Sequence, residues 1–230
     1  MERGRRQAEA VARPAESPYK ATVGPGSPIG VSSVTPPPAA SLRRATPADA
    51  AALAALAART FRETYAPPAG PCDPADVQAY VADHFGPARQ GAELADPRLR
   101  VLVAETAAGL AGYAVVRFAS RPGDADDYAP EPDGTAAALT AGATAELARL
   151  YVDRPWHGHG LAAALLDAAR AAAAAAGAGA LWFSVYQRNP RALAFYRRQG
   201  ARPFATATFR MGREVQDDWL LAVPTTDAAP

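Results

Sequence analysis

Two histidines and two glycines alternate at residues 157–160, directly before a long alanine-rich run. A zinc site needs three or four ligands in fixed geometry. Besides His157 and His159 the chain has only His84, and it contains neither an HExxH pattern nor a cysteine cluster. The pattern therefore predicts no metal site, and the histidines are interpreted as spacers between the glycines.

The glycines Gly158 and Gly160 are better explained by phosphate binding. A dinucleotide fingerprint would need a third glycine and a ribose-binding acidic residue, and a P-loop would need Gly-Lys-Ser/Thr; none of these is present. Successive N–H groups at a helix start can instead cradle a pyrophosphate. Glycine would let the phosphate approach the backbone closely. The alternative is that the glycines only form a tight turn between a strand and a helix.

The flanking segments predict that turn. "ELARLYV" before the glycines is typical of a buried strand, and the run from Gly160 to Ala176 is typical of a helix that ends at Gly177. "ALWFSVYQ" predicts a second buried strand. "NPRALAFYRRQG" predicts another helix, with Asn189 as the N-cap and Pro190 in its first turn.

The remaining segments complete an α/β pattern. We predict a strand at Ser41–Arg44, a helix over about 47–64, a short helix between Asp73 and Gly86, a hairpin over about 100–119, and two final strands around Gly212. This order indicates one mixed sheet with helices on both sides.

Composition sets the domain limits. With 49% hydrophobic and 20% charged residues, the chain can bury a core over residues 41–224. Residues 1–40 are rich in Pro, Gly and Ser and are predicted to be disordered, and residues 225–230 form a short tail.

The net charge and the cysteine content exclude several classes of partner and of protein. A net charge of +1 argues against nucleic acid and anionic membrane surfaces, and no apolar run is long enough to span a membrane. The lone Cys72 excludes an intrachain disulfide. These features favour a cytoplasmic protein. The sequence does not distinguish a monomer from a homodimer.

Two segments at matching separation resemble motifs of the GCN5-related N-acetyltransferases (GNAT). "YVDRPWHGHGLAAALLDAA" resembles motif A, with Gly160 and Ala162 on its fixed positions and His157 where Gln or Arg is usual. "NPRALAFYRRQGARPF" resembles a second segment whose fixed positions are occupied here by Asn189, Ala192, Tyr196 and Gly200, with Ala201 where Phe is usual. The resemblance covers about residues 41–223. "TFRETY", "ELARLYV" and "FRMGREVQDDWLLAV" further resemble the PaiA-type branch, which is associated with polyamine acetylation.

The resemblance implies a GNAT fold: a central mixed, mostly antiparallel β-sheet with helices on both faces and a splayed pair of parallel strands. It also implies acetyl-CoA as co-substrate, bound between those strands. The residues implied for cofactor binding are Leu150, Tyr151, Val152, His157, Gly158, His159, Gly160, Leu161, Ala162, Asn189 and Tyr196.

The same resemblance assigns catalytic roles. Tyr196 is the expected acid that protonates the departing thiolate, unless it only packs its helix onto the sheet. Glu146 is the expected base, with a solvated or water-relaying carboxylate as the alternative. Asn189 would hold the cofactor in addition to capping its helix, or would serve as a cap alone.

The implied activity is acetyl transfer to a primary amine of a small-molecule acceptor, with a polyamine as the acceptor that the branch implies. The alternatives are an acetyl-CoA-binding regulatory or sensor module without turnover, and a peptide or protein N-acetyltransferase. Residues that could line the acceptor side are Phe61, Glu63 and Tyr65, together with the loop carboxylates Asp124, Asp126 and Asp127. A solvated run of charge is the alternative for that loop.

Overall fold

A single sheet of eight strands runs through the residues that the computed structural model describes, which are 40–130, 134–135 and 141–226. The strands are β1 (Ser41–Arg44), β2 (Leu99–Thr106), β3 (Gly109–Arg117), β4 (Ala129–Pro130), β5 (Thr144–Val152), β6 (Ala180–Tyr186), β7 (Arg202–Met211) and β8 (Glu214–Pro224). Their order in the sheet is β1-β2-β3-β5-β6-β8-β7-β4. Only β5 and β6 pair in parallel, so the predicted mixed, mostly antiparallel sheet is confirmed.

Five α-helices accompany these strands in the described part of the chain: α1 (Ala50–Tyr65), α2 (Pro74–His84), α3 (Pro87–Ala95), α4 (Leu161–Ala175) and α5 (Pro190–Arg198). None of the helices seen there combines the length and hydropathy needed to cross a membrane. The prediction of a disordered tail falls on residues outside the described part, apart from Ala40, as does most of the predicted C-terminal tail. Thr225 still packs on the domain, and its hydroxyl donates to the Ala178 carbonyl at 2.6 Å.

The sequence patterns did not predict α3. Gly86 was interpreted only as the end of the preceding helix, but it is also the N-cap of α3, with Pro87 in the first turn. The buried residues of α3 are the polar Gln90 and Glu93 rather than an apolar stripe. Glu93 accepts two hydrogen bonds from Arg149 on β5, so this helix is attached by an ion pair that hydrophobic periodicity does not reveal.

Helices cover both faces of the sheet. Leu53 and Leu56 of α1 share a buried cluster with Val103 and Tyr113, which project from one face of β2 and β3. Gly112, the neighbour of Tyr113 in sequence, lies against Leu165 of α4 on the opposite face. This alternation follows from the two-residue period of a strand.

Strands β5 and β6 separate after only three paired positions. Thr144, Ala145 and Glu146 pair with Ala180, Leu181 and Trp182, and beyond them each strand continues without the other. On its other side β5 pairs with β3, where Val115 lies opposite Arg149 and Val116 lies opposite Leu147. Ala148 is therefore an extra residue in β5, and such a bulge bends the strand that carries it. The predicted splayed parallel pair is confirmed.

Candidate active site

The loop after β5 is held in place at both of its ends. The Asp153 amide donates to the Ala111 carbonyl at 2.8 Å, and Arg59 of α1 donates to both carboxylate oxygens of Asp153 at 3.0 and 2.7 Å. His157 Nε2 lies 2.8 Å from the Val152 carbonyl oxygen. The interpretation of His157 as a spacer was therefore wrong, because its ring ties the loop back to the last residue of β5. His159 is exposed.

The glycines of this loop adopt left-handed backbone conformations. Gly158 has φ +85° and Gly160, the N-cap of α4, has φ +80°. An added Cβ at either position would meet nothing within 4 Å, so in this structure glycine is required by the backbone conformation rather than by a close neighbour.

The backbone N–H groups around these glycines are available. Residues 158–160 are exposed, and no acceptor among the described residues bonds their N–H groups. The next N–H groups, of Leu161 and Ala162, belong to the first turn of α4, where helical partners do not exist. These donors lie at the positive end of the α4 dipole and form an arrangement suited to a pyrophosphate.

Tyr196 lies on α5 against the sheet. Its ring is centred 4.2 Å from that of Phe183 on β6, and only 9% of the residue is exposed. Burial, with a smaller contribution from Tyr151, raises the pKa of the Tyr196 phenol above its usual value. The hydroxyl therefore keeps its proton at neutral pH, as a proton donor must. The Asn189 side chain accepts the Ala192 amide at 3.0 Å, so its oxygen serves as a helix cap.

Glu146 has partners of its own. Arg117 of β3 forms an ion pair with Glu146 Oε2, and the Ser120 hydroxyl donates to the same oxygen at 3.1 Å. Glu146 pairs with Trp182 at the closed end of the gap between β5 and β6. Its carboxylate is thus already paired with Arg117, at the point where β5 and β6 begin to separate.

The proposed acceptor residues of α1 divide between core and surface. Phe61 is 3% exposed and belongs to the hydrophobic core, whereas Glu63 is exposed. Tyr65 lies beside Phe61, with ring centroids 4.4 Å apart, and its phenol is near enough to that of Tyr151 on β5 for each to affect the pKa of the other. Of these three residues, Tyr65 is the one whose polar group lies near β5.

The acidic loop is partly bonded to itself and to β7. Asp124 accepts the Arg121 amide at 3.1 Å. Asp127 accepts the Thr208 hydroxyl at 2.9 Å and pairs with Arg210 at 3.3 Å. The short strand β4, which the sequence patterns did not predict, pairs this loop with β7. Asp124 and Asp127 thus have local partners.

A carboxylate that sequence reasoning missed lies on β8. Asp218 is 6% exposed, and its Oδ1 has no hydrogen-bond partner among the described residues. Burial, aided by neighbouring Asp217 and opposed by a hydrogen bond from Ser184, raises the pKa of Asp218 to about 6. The only signal in the sequence was that Asp218 directly precedes the apolar run "WLLAV", since residues 218–223 are all buried in β8.

No group of three or more potential metal-ligating His, Cys, Asp or Glu side chains occurs in the part of the chain that the structure describes. The expectation of no metal stays a prediction.

Comparison with known proteins relates this geometry to a family. A model of the acetyltransferase (GNAT) family matches residues 57–201. Uncharacterized N-acetyltransferases of Mycobacterium bovis and Mycobacterium tuberculosis are 35% identical to this chain over 173 residues, which cover 75% of this chain and 96% of theirs. One from Lactobacillus delbrueckii subsp. lactis is 25% identical over 161 residues, covering 70% and 85% of the two chains.

Solved structures share the fold at low sequence identity. The PaiA N-acetyltransferase of Thermoplasma acidophilum, solved with coenzyme A, has a TM-score of 0.60 at 15% identity and covers 81% of this chain and 99% of its own. The ribosomal-protein-S18-alanine N-acetyltransferase of Escherichia coli has a TM-score of 0.51 at 16% identity, covering 83% and 97%. The chain belongs to the GNAT family and is an acetyl-CoA-dependent N-acetyltransferase.

Proposed function

We propose that this protein transfers the acetyl group of acetyl-CoA to a primary amine of a small molecule, with a polyamine as the favoured acceptor class. The observation that carries the proposal is the open edge of β5, which leads directly into the exposed N–H groups at the start of α4. An extended ligand with a pyrophosphate at one end matches both features.

Each half of this arrangement has a defined part. The β5 edge at Leu150–Val152 would bind the pantetheine as an added strand, through the main-chain groups of Leu150 and Val152, because those of Tyr151 face β3. The N–H groups of residues 158–162 would bind the pyrophosphate. Because His157 bonds the Val152 carbonyl, the loop and the strand edge are held in register with each other.

Acetyl-CoA supplies a thioester, which the amine nitrogen attacks. We assign Tyr196 as the acid that protonates the departing sulfur, since burial keeps the phenol protonated at neutral pH. Asn189 supports this position by capping α5, and its contact with the cofactor stays a prediction. Glu146 is the proton acceptor that the family resemblance implies; its ion pair with Arg117 would require it to act through water or to release that arginine.

A polyamine is supported by two features. The acceptor side of the gap contains the buried Asp218, whose free oxygen is an acceptor and whose charge complements an ammonium. The fold likeness to a PaiA N-acetyltransferase is consistent with the same branch. A cytoplasmic location belongs to this proposal.

The test is thiol release from acetyl-CoA by the purified protein against polyamines, aminoglycosides, amino acids and N-terminal peptides. Turnover with a polyamine would support the proposal, and turnover with peptides alone would replace the acceptor class. If acetyl-CoA binds in calorimetry but no amine is acetylated, the protein would be a sensor module.

A further inference from the structure

We propose that Asp218 receives the ammonium group of the acceptor and takes its proton, in a subsite shared with Ser184, Tyr65 and Tyr151. This inference rests on the proposed acetyl transfer to an amine. It places the proton acceptor on β8, on the far side of β6 from β5, rather than on Glu146.

Strand register places the subsite beside the gap. Tyr186 of β6 lies opposite Asp218, and Ser184 lies opposite Leu220, so Ser184 and Asp218 project from the same face as diagonal neighbours. β6 forms one wall of the gap, and β8 follows it at about 4.8 Å. Ser184 is exposed, and its hydroxyl lies near enough to Asp218 to favour the ionised form of that carboxyl. An amine that enters the gap can therefore reach the carboxylate past Ser184.

Two unsatisfied side-chain atoms on β8 indicate the chemistry of the missing partner. Asp218 Oδ1 and Gln216 Oε1 both lack a hydrogen-bond donor among the described residues, and the two residues are 6% and 2% exposed. They are two positions apart on β8 and share a face. Both atoms are acceptors, so the missing group is a donor. An ammonium offers three N–H donors and a positive charge.

The groups around Asp218 leave its charge unbalanced. Tyr65 from α1 and Tyr151 from β5 interact with it electrostatically, Ser184 approaches from β6, and Asp217 is its neighbour on β8. None of the ion pairs formed among the described residues includes Asp218. An unpaired buried carboxylate is costly, and this cost falls when a cation binds.

Glu146 offers a contrast on the same face of the sheet. It lies opposite Trp182, four residues before Tyr186, and is thus displaced about 13 Å along the strands from the level of Asp218. Arg117 already balances its charge. A second cation has less to gain there than at Asp218.

The proton balance is complete without a further reactant. The ammonium gives one proton to the Asp218 carboxylate and becomes a neutral amine, whose lone pair forms the bond to the acetyl carbonyl carbon. The C–S bond breaks, and the Tyr196 hydroxyl protonates the sulfur. The second proton of the nitrogen restores Tyr196 through water, and Asp218 releases its proton to solvent. The products are the amide, the thiol and one proton.

The test compares Asp218→Asn with Asp217→Asn, the exposed carboxylate next to it on β8. Thiol release is measured with n-butylamine, a minimal primary amine, and with each amine that the wild-type protein acetylates. We expect Asp218→Asn to lower kcat/KM about 10²-fold or more, the range for general catalysis by one group. Asp217→Asn should keep wild-type turnover, and both variants should keep wild-type affinity for acetyl-CoA in calorimetry.

A pH profile separates proton transfer from a structural role. Wild-type turnover should fall on the acid side with an apparent pKa near that of Asp218, about 6, and Asp218→Asn should lose this limb. Wild-type kcat/KM in Asp218→Asn would overturn the role of Asp218 and leave the proposed function intact. If the wild-type protein binds acetyl-CoA but acetylates no amine, the proposed function fails and this inference fails with it.

Discussion

Replacing Asp218 by Asn should make the protein more stable at neutral pH while it lowers activity. Burial raises the pKa of this carboxyl from 3.8 to about 6. Each pKa unit corresponds to about 1.4 kcal/mol, so a shift of about two units means that the ionised carboxylate costs the folded state about 3 kcal/mol. Asn has nearly the same shape and no charge, and it avoids most of this cost.

The raised pKa of Asp218 also determines how the free energy of unfolding changes with pH. Between about pH 4 and pH 6 the folded state holds a proton on Asp218 that the unfolded state has released. Wild-type stability should therefore fall as pH rises through this window, and the full cost should be present above about pH 6. Asp218→Asn should gain little over wild type near pH 4 and the most near pH 7.5.

Urea unfolding of both proteins at these two pH values measures the difference directly. Asp217→Asn is the control, because Asp217 is exposed and should show no comparable gain. If Asp218→Asn were less stable than wild type near pH 7.5, the carboxylate would have a favourable partner in the folded protein, and the reasoning would be refuted. A gain of equal size at both pH values would also refute it, since it could not come from ionisation.

Three further predictions concern the cofactor side and the sheet. Gly158→Ala and Gly177→Ala replace glycines of nearly equal φ, +85° and +83°, so each should lose about 1 to 2 kcal/mol of stability in urea unfolding. Only Gly158→Ala should weaken acetyl-CoA binding in calorimetry. If the two variants bind acetyl-CoA equally well, the proposal that residues 158–162 bind the pyrophosphate is wrong. Tyr196→Phe should lower kcat by about 10² to 10⁴ with acetyl-CoA affinity retained; unchanged turnover would exclude the phenol as the acid. Gly112→Ala should destabilise by about 1 to 3 kcal/mol, because its Cβ would lie 3.0 Å from Leu165 Cδ1 and 3.1 Å from the Tyr151 carbonyl oxygen. Gly91→Ala, in open space within α3, should be stabilising by about 0.4 to 1 kcal/mol, and thermal unfolding of the pair checks both signs.

The features predicted from sequence are those that follow from local patterns. Helix α4 shows its alanine run and its glycine boundaries, and α5 shows its Asn189 cap and following Pro190. The splayed pair followed from the resemblance, and the structure adds a bulge at Ala148, two residues beyond the last paired position of β5. A bulge depends on pairing with a distant strand, so local periodicity cannot reveal it.

The missed features depend on contacts between residues far apart in the chain. Helix α3 is held by Glu93 and Arg149, which are 56 residues apart. The role of His157 in the loop depends on its contact with the Val152 carbonyl five residues earlier. The sequence does not show that the loop folds back far enough for this contact. The sequence patterns assigned no role to Asp218, and only the strand register shows that it shares a face with Ser184 as a diagonal neighbour.

The three-residue junction between β5 and β6 also affects how the domain unfolds. It divides the sheet into two antiparallel halves, and α4, which packs on β3, β5 and β6, is a main bridge between them. We therefore expect the angle between the halves to change more easily than the strand pairing within each half. A ligand wedged into the gap would fix that angle and raise the stability in proportion to the logarithm of its concentration. Amide hydrogens along the gap should accordingly exchange more slowly once acetyl-CoA is bound. The co-substrate would then connect the two halves of the sheet where the strands themselves do not pair.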